Sequence, residues 1–457
     1  MTRVRHRFRL LALSSLPLVF LSACSLTGRG EVEEPPLPPV PGKEEHVTVT
    51  VLYRSKPTFM NLYGSRFRQI YPNISIEVVE SPRPQSGMDM KKETEALLAA
   101  NPVDVVFADN FFDAWAKDGM LLNLDPLIRR DSFDIQNLYA GAIGHIRQRG
   151  GGALYALAPQ FSTQALFYNQ DLFDQYGVPY PKDKMNWEDV LRLAGRFPFK
   201  RDQDQLLYAL YNPLSPSAWM QDIARTNGLS AIAEDGTKVV VNSPAWKGIF
   251  QTVIHAYREK QVIHPEPNAD SSTFESVIRR NRFLMGMAAM TVDRYFLLAN
   301  MTNAERQNIN KSPNWQLVTA PTSPSAPNET ETVSVHDMFA IHVQSKQIGA
   351  AWELVKFING ESTAKALGAG GGSSLLLTRV EHNPKEVNGR SVEAFHRLQP
   401  SMKDWTAVHK NTPIGFSGTF SGILHTEIEA VLGRGKSVEE GLAAIQEQSQ
   451  LALDALK

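Results

Sequence analysis

Cysteine is almost missing from this chain. Cys24 is the single one in 457 residues, which excludes an intramolecular disulfide and any Cys-x-x-Cys zinc or redox site. Catalytic signatures are missing as well: there is no His-Glu-x-x-His and no Gly-x-Ser-x-Gly. Gly415-Phe416-Ser417-Gly418 falls short of a nucleophile elbow. Gly433-Arg434-Gly435-Lys436-Ser437 ends like a phosphate-binding loop, yet Ala430 stands where its first glycine belongs. Ile428, Val431 and Leu432 before it follow a helical pattern, so the stretch reads as a helix stop, a loop and a helix start. A metal needs more ligands than His336, Asp337 and His342 supply. Neither a metal nor a cofactor is expected, and no enzymatic step. Charge of one sign is lacking too. The 47 Lys and Arg face 48 Asp and Glu without a basic arm or patch, which argues against a nucleic-acid partner.

Long apolar runs are scarce. The one at Leu10–Leu21 is too short to span a bilayer, which takes roughly 20 residues. Arg3, Arg5, Arg7 and Arg9 precede it and small residues follow, so residues 1–23 read as a secretory signal. Leu21-Ser22-Ala23-Cys24 resembles the bacterial lipobox, in which cleavage exposes a cysteine that receives lipid. Cys24 is therefore the expected lipidation site, against the plainer reading of an incidental buried cysteine. Lipid there implies an anchor in place of a membrane span, with the body outside the cytoplasmic membrane. Residues 24–45 follow as a tether. Pro35, Pro36, Pro38, Pro39 and Pro41 cannot build a core and favour extended structure.

What is present is an ordinary globular composition, 42% hydrophobic and 21% charged, in a length that favours two or three domains. His46–Tyr53 alternates as a first strand, Phe59–Tyr71 follows as a helix closed by Pro72, and Ile74–Glu80 alternates again. A helix over Lys91–Ala100 leads to Val103–Ala108, whose nearly continuous apolar run marks a buried strand. This alternation predicts an α/β lobe with a mainly parallel sheet. Leu154–Gly177 is the stretch around which the rest is organised. Its apolar run stops at Pro159, a polar patch of Gln160, Ser162, Thr163 and Gln164 follows, and Ala165–Tyr168 is apolar again. Two strands broken in this way suit a chain leaving one sheet and entering another. Asn169 is the N-cap of a helix that Gly177 stops, and Asn186, Ser243 and Ser437 read as further caps.

Tyr155-Ala156-Leu157, Leu166–Phe173 and Gly177-Val178-Pro179 together resemble the first hinge crossing of bacterial extracellular solute-binding proteins of ABC importers. The sugar-binding, maltose-binding-protein-like branch is the closest type. Asn101–Asp109, with Trp115 and Asp118–Leu124, is similar to that family's strand, loop and helix beside the ligand. Phe283–Phe296 resembles the segment where the family's chain returns to the first lobe. Ala320-Pro321-Thr322, His336–Ile341 and Ser345–Gly360 look like its strand back through that lobe and the helix of the third crossing. The resemblance implies a two-lobed α/β fold of the periplasmic-binding-protein kind, with three interlobe crossings and a cleft between lobes. Lobe 1 then covers 46–160 with 292–347, and lobe 2 covers 161–291 with 348–457.

Ligands of open α/β sheets bind beyond the carboxyl ends of strands. Asp109, Asn110 and Phe111 lie at such a place, with helix capping by Asp109 or Asn110 as the plainer alternative. The resemblance adds Arg54, Phe161, Ser162, Trp219, Asp293, Arg294, Tyr295, Phe296, His336 and Asp337 to the expected ligand-binding set. Gly372 and Ser373 join them from a glycine-rich loop. Aromatic faces suit the C–H side of a sugar, and carboxylates and amides suit its hydroxyls. The expected function is capture of a sugar or oligosaccharide by a monomer, and its delivery to ABC permease subunits. The alternatives are an exported hydrolase acting on a glycan, or a binding protein for a peptide or other non-sugar solute.

Overall fold

The computed structural model describes residues 38–456, apart from 86–87, 199–200, 203–204, 267–271, 370–373, 402, 404–407, 409–410 and 414. The signal segment, Cys24, most of the tether, Gly372 and Ser373 lie outside the described residues. In chain order the first strands are β1 (Val47–Tyr53), β2 (Ile74–Glu80), β3 (Val105–Phe107), β4 (Ala156–Leu157), β5 (Gln160–Ser162) and β6 (Gln164–Asn169). Then come β7 (Arg201–Asp202), β8 (Gln205–Leu206), β9 (Tyr208–Tyr211), β10 (Val262–Ile263), β11 (Ala288–Arg294) and β12 (Trp315–Thr319). The last four needed here are β13 (Glu329–Thr330), β14 (Ser334–His336), β15 (Phe339–Ile341) and β16 (Leu376–Leu377).

Among the described residues, two five-stranded sheets dominate, in the orders β2-β1-β3-β15-β4 and β10-β9-β11-β6-β12. The β-branched alternation of β1 pairs in parallel with β2 from Val47 opposite Ile74 to Tyr53 opposite Glu80. Val105, Val106 and Phe107 of β3 are all buried, as an inner strand covered on both faces requires. In the second sheet β9 runs parallel to β11, while β6 lies antiparallel between β11 and β12. All six residues of β6 are buried.

A third sheet of order β14-β5-β16 joins the two. Each of its strands is one crossing. Pro159 separates β4 of the first sheet from β5, and β6 of the second sheet starts two residues after β5 ends. Proline removes a ladder donor, so the chain cannot continue in one sheet and turns into the next. The return runs from β12 through β14 to β15, and the third passage uses β16.

This topology corrects two expectations about the crossings. Phe283–Phe296 does not carry the chain back to the first lobe: β11 is hydrogen-bonded between β6 and β9, and β12 adds to the far edge of β6. The return comes at β14, so 292–347 is divided between the two sheets. The helix Ile348–Ile358 packs on β1 and β15 of the first sheet, and the third crossing is made by β16.

Local chemistry accounts for the helix ends. The Asn169 side chain accepts from Asp171 N–H, and Gly177 stops that helix at φ +62°, a left-handed conformation that suits glycine. Asn186 and Ser437 form capping boxes with Asp189 and Glu440, and Ser243 caps Pro244–Arg258. The helices Pro216–Thr226, Pro244–Arg258, Phe416–Leu432 and Val438–Ala455 bury Trp219, Phe250, Leu424 and Ile445 in one core with β6 and β11. No helix among the described residues is long and apolar enough to cross a membrane.

Candidate functional site

A cavity of about 750 Å³ opens at the carboxyl ends of β9 and β11, where an open α/β sheet is expected to hold its ligand. Asn212 follows β9 directly, and Asp293 and Arg294 end β11. Gln164, at the start of β6, stands opposite Arg294 in the ladder. Trp187, Trp219 and Trp246 come from three helices of the second core. The far wall includes Arg149, from the helix Ala140–Arg149 that packs against β4 of the first sheet, with Glu331 and Val333 from the return crossing.

The polar groups of this wall are held in defined positions. One oxygen of Asp293 accepts from Arg294 N–H at 2.7 Å. Loss of solvent pushes the Asp293 carboxyl up to about 6, against the opposing pull of that N–H and the Arg294 charge. Arg294 Nη1 donates to Ser162 Oγ at 3.1 Å, and Ser162 Oγ lies 2.8 Å from His336 Nε2. Burial lowers the His336 pKa, with the Arg294 charge acting in the same direction. Arg149 is ion-paired with Asp113 at 2.8 Å, and Arg225 with Asp222 at 2.6 Å. Trp219 is fully buried, edge-on to Trp187 at 5.4 Å and to Tyr257 at 5.7 Å, so its position in the wall is fixed by packing.

A second polar cluster lies at the carboxyl ends of β1 and β3. Asp337, in the two-residue link between β14 and β15, sits at φ +60°, a conformation costly for a non-glycine residue. Its carboxylate accepts from the hydroxyls of Tyr53 at 2.9 Å and Tyr63 at 2.7 Å, and from Arg54 at 2.7 Å. Asp109 holds the same link from the other side. Its two oxygens accept the backbone N–H groups of Asp337 at 3.0 Å and Met338 at 2.6 Å. Burial, only partly offset by those N–H groups, pushes the Asp109 carboxyl up to about 6.

Of the expected ligand residues, Trp219, Asp293 and Arg294 line the cavity. Ser162 and His336 stand behind Arg294, and Arg54, Asp109 and Asp337 form the β14–β15 knot. Helix capping by Asp109 or Asn110 does not occur: the helix Phe112–Lys117 takes no side-chain cap. Asn110 is exposed, and Phe111 packs on Trp115 at 5.2 Å. Phe161 is fully buried and stacked on Tyr139 at 4.3 Å, and Tyr295 is buried against Phe395 at 5.4 Å, so neither ring presents a free face. Phe296 is 51% exposed. Sequence reasoning missed Trp187, Trp246, Asn212, Gln164 and Arg149. The signal for Asn212 is present in the sequence, because it directly follows an aromatic run and precedes Pro213. Among the described residues no three His, Cys, Asp or Glu side chains gather as a metal site.

Comparison with known proteins gives this architecture a class. The chain belongs to the bacterial extracellular solute-binding protein family, whose model matches residues 54–365. It is similar to a sugar transporter from Rhizobium etli in an open conformation, at 17% identity over 90% of this chain and 100% of that one, with a TM-score of 0.66. It is also similar to the GacH receptor of Streptomyces glaucescens, solved unliganded and with acarbose, at 20% identity, 91% and 100% coverage and a TM-score of 0.57. UgpB from Mycobacterium tuberculosis, in complex with glycerophosphocholine, matches at 17% identity, 90% and 99% coverage and a TM-score of 0.59. At such identities the likeness is one of fold, and the fold is the two-lobed binding-protein fold.

Proposed function

We propose that this protein captures a sugar or oligosaccharide in the cavity at the ends of β9 and β11 and hands it to the permease subunits of an ABC importer. The observation that carries the reading is the composition of the wall: the buried indoles of Trp187, Trp219 and Trp246 back it with apolar material, beside Asn212, Gln164, Asp293 and Arg294. An apolar wall suits the C–H sides of pyranose rings, and convergent amide, carboxylate and guanidinium groups match hydroxyls. The acarbose ligand of the GacH receptor and the sugar-transporter neighbour support it. The first lobe holds β1–β4 with β15, the second holds β6 and β9–β12 with the C-terminal helices, and the β14-β5-β16 sheet is the hinge. The lobes close on the ligand as a hinge. A lipid on Cys24 ties the monomer to the outer side of the cytoplasmic membrane, and binding proceeds without bond cleavage.

A thermal-shift screen of the mature chain against mono- and oligosaccharides tests this, with glycerophosphodiesters and peptides alongside. Ligand at 100 times its dissociation constant stabilises the folded state by about 2.7 kcal/mol. The expected result is a rise in melting temperature with one saccharide class. A rise with only a phosphodiester or a peptide overturns the sugar assignment, and saccharide turnover overturns the binding-protein reading.

A further inference from the structure

The geometry points to Ser162 as a positioning residue: a one-way hydrogen-bond relay, Arg294 to Ser162 to His336, fixes the cavity's guanidinium from the hinge strand. The link from this relay to ligand affinity rests on the functional reading above, while the relay itself does not.

The direction follows from donor and acceptor counts. Ser162 is 2% exposed, so its hydroxyl is closed to bulk water. A guanidinium only donates, and Arg294 Nη1 reaches Ser162 Oγ at 3.1 Å. That oxygen therefore accepts from Arg294. Were its second lone pair to accept from His336 Nε2–H at 2.8 Å as well, the buried hydroxyl proton would have no acceptor among the described residues, so the proton goes to Nε2. For that bond Nε2 must be bare, so the imidazole is neutral with its proton on Nδ1.

The surrounding charges agree. Arg294 on β11 and Arg54 beyond β1 oppose a third cation at His336, and Asp337 alone favours it. The Asp337 carboxylate is already engaged by Tyr53, Tyr63 and Arg54. Burial adds to the same outcome and lowers the His336 pKa.

The relay also spans the hinge. Arg294 ends a strand of the second sheet, Ser162 sits on the middle strand of the hinge sheet, and His336 ends the strand that returns to the first. Asp337 follows His336 and carries the knot to Tyr53, Tyr63 and Arg54. A group pulled by ligand at Arg294 is thus tied by two hydrogen bonds to the link that leads into β15.

The test uses the mature chain labelled with ¹⁵N-histidine and long-range ¹H–¹⁵N spectra, with the His336 signals assigned by their loss in His336→Gln. The expected result at pH 7 is a neutral ring with a proton on Nδ1 and none on Nε2. An Nε2–H tautomer or an imidazolium overturns the relay, and this reading needs no altered hinge residue and no ligand. In Ser162→Ala the donor to the neutral ring is gone, so the His336 midpoint is expected to rise and the tautomers to mix, while Ser162→Thr keeps the wild-type pattern. An unchanged tautomer and midpoint in Ser162→Ala contradicts the relay. With the ligand found by thermal shift, Ser162→Ala weakens binding about tenfold, the scale of one hydrogen bond to a charged group, and Ser162→Thr restores it. Equal affinity in all three overturns the positioning role. A screen that finds no ligand counts against the functional reading alone, because the tautomer decides the relay.

Discussion

Asp109 and Asp293 occupy comparable places in the two sheets, one just past the end of β3 and the other next to last in β11. Loss of solvent pushes both carboxyls up to about 6. Their surroundings differ. Asp109 has both oxygens engaged by the backbone N–H groups of Asp337 and Met338, which closes it off as a brace for a strained link. Asp293 accepts one bond of that kind, from Arg294 N–H, and the rest of its carboxylate faces a cavity walled by tryptophans. The contrast separates a carboxylate whose oxygens both hold the scaffold from one that makes a single such bond in a cavity wall. Position at a strand end is shared by both, so it does not distinguish them, and the count of bonds already made does.

The brace is densest around Asp337. Asp337→Ala removes the acceptor of two tyrosine hydroxyls and of Arg54. It is expected to cost about 3 kcal/mol in urea unfolding, since hydroxyls left unpaired in the interior carry a full desolvation penalty. Asp109→Asn keeps the shape but replaces one acceptor with an N–H₂ group facing a backbone N–H. A loss of about 1–2 kcal/mol is expected by the same measurement. A neutral result there would remove the brace from the account.

Asp293→Asn is the same chemical change with the opposite expected sign. The folded pKa lies above the ordinary value of 3.8, at about 6, so the stabilising term is fully present below 3.8 and is lost as pH rises through about 6. Above that the ionised carboxylate is a cost that asparagine lacks, while the amide oxygen still accepts from Arg294 N–H. The melting temperature should therefore rise by about 1–2 °C at pH 7.5 and show no gain below pH 4. A loss of stability at pH 7.5 would show that Asp293, too, is a scaffold residue.

Legibility in the sequence followed the range of the interactions. The first crossing could be read because its signals are local: Pro159 between two apolar runs, a polar patch, then the cap at Asn169 and the stop at Gly177. The capping boxes at Asn186 and Ser437 were legible for the same reason. The second crossing was not. Thr291, Val292 and Asp293 pair with Phe167, Leu166 and Ala165, more than a hundred residues away, and nothing in Phe283–Phe296 itself announces that register. The site divided along the same line. Asp293, Arg294 and Trp219 are candidates from their own segments and line the cavity, whereas Trp187 and Trp246 reach it only because separate helices pack together behind β6 and β11. Phe161 shows the converse. Its place near the first crossing makes it a candidate aromatic face for a sugar, and the ring is instead occupied by Tyr139.

On the proposed function, Asp293 in the cavity wall meets the ligand and Asp109 in the brace does not. Calorimetric titration at pH 7.5 tests it, using the saccharide that gives the largest thermal shift and comparing wild type, Asp293→Asn and Asp109→Asn. The expected result is about tenfold weaker binding for Asp293→Asn, the scale of one charged hydrogen bond, and a far smaller change for Asp109→Asn. Undiminished affinity in Asp293→Asn, with the loss falling on Asp109→Asn instead, would contradict it.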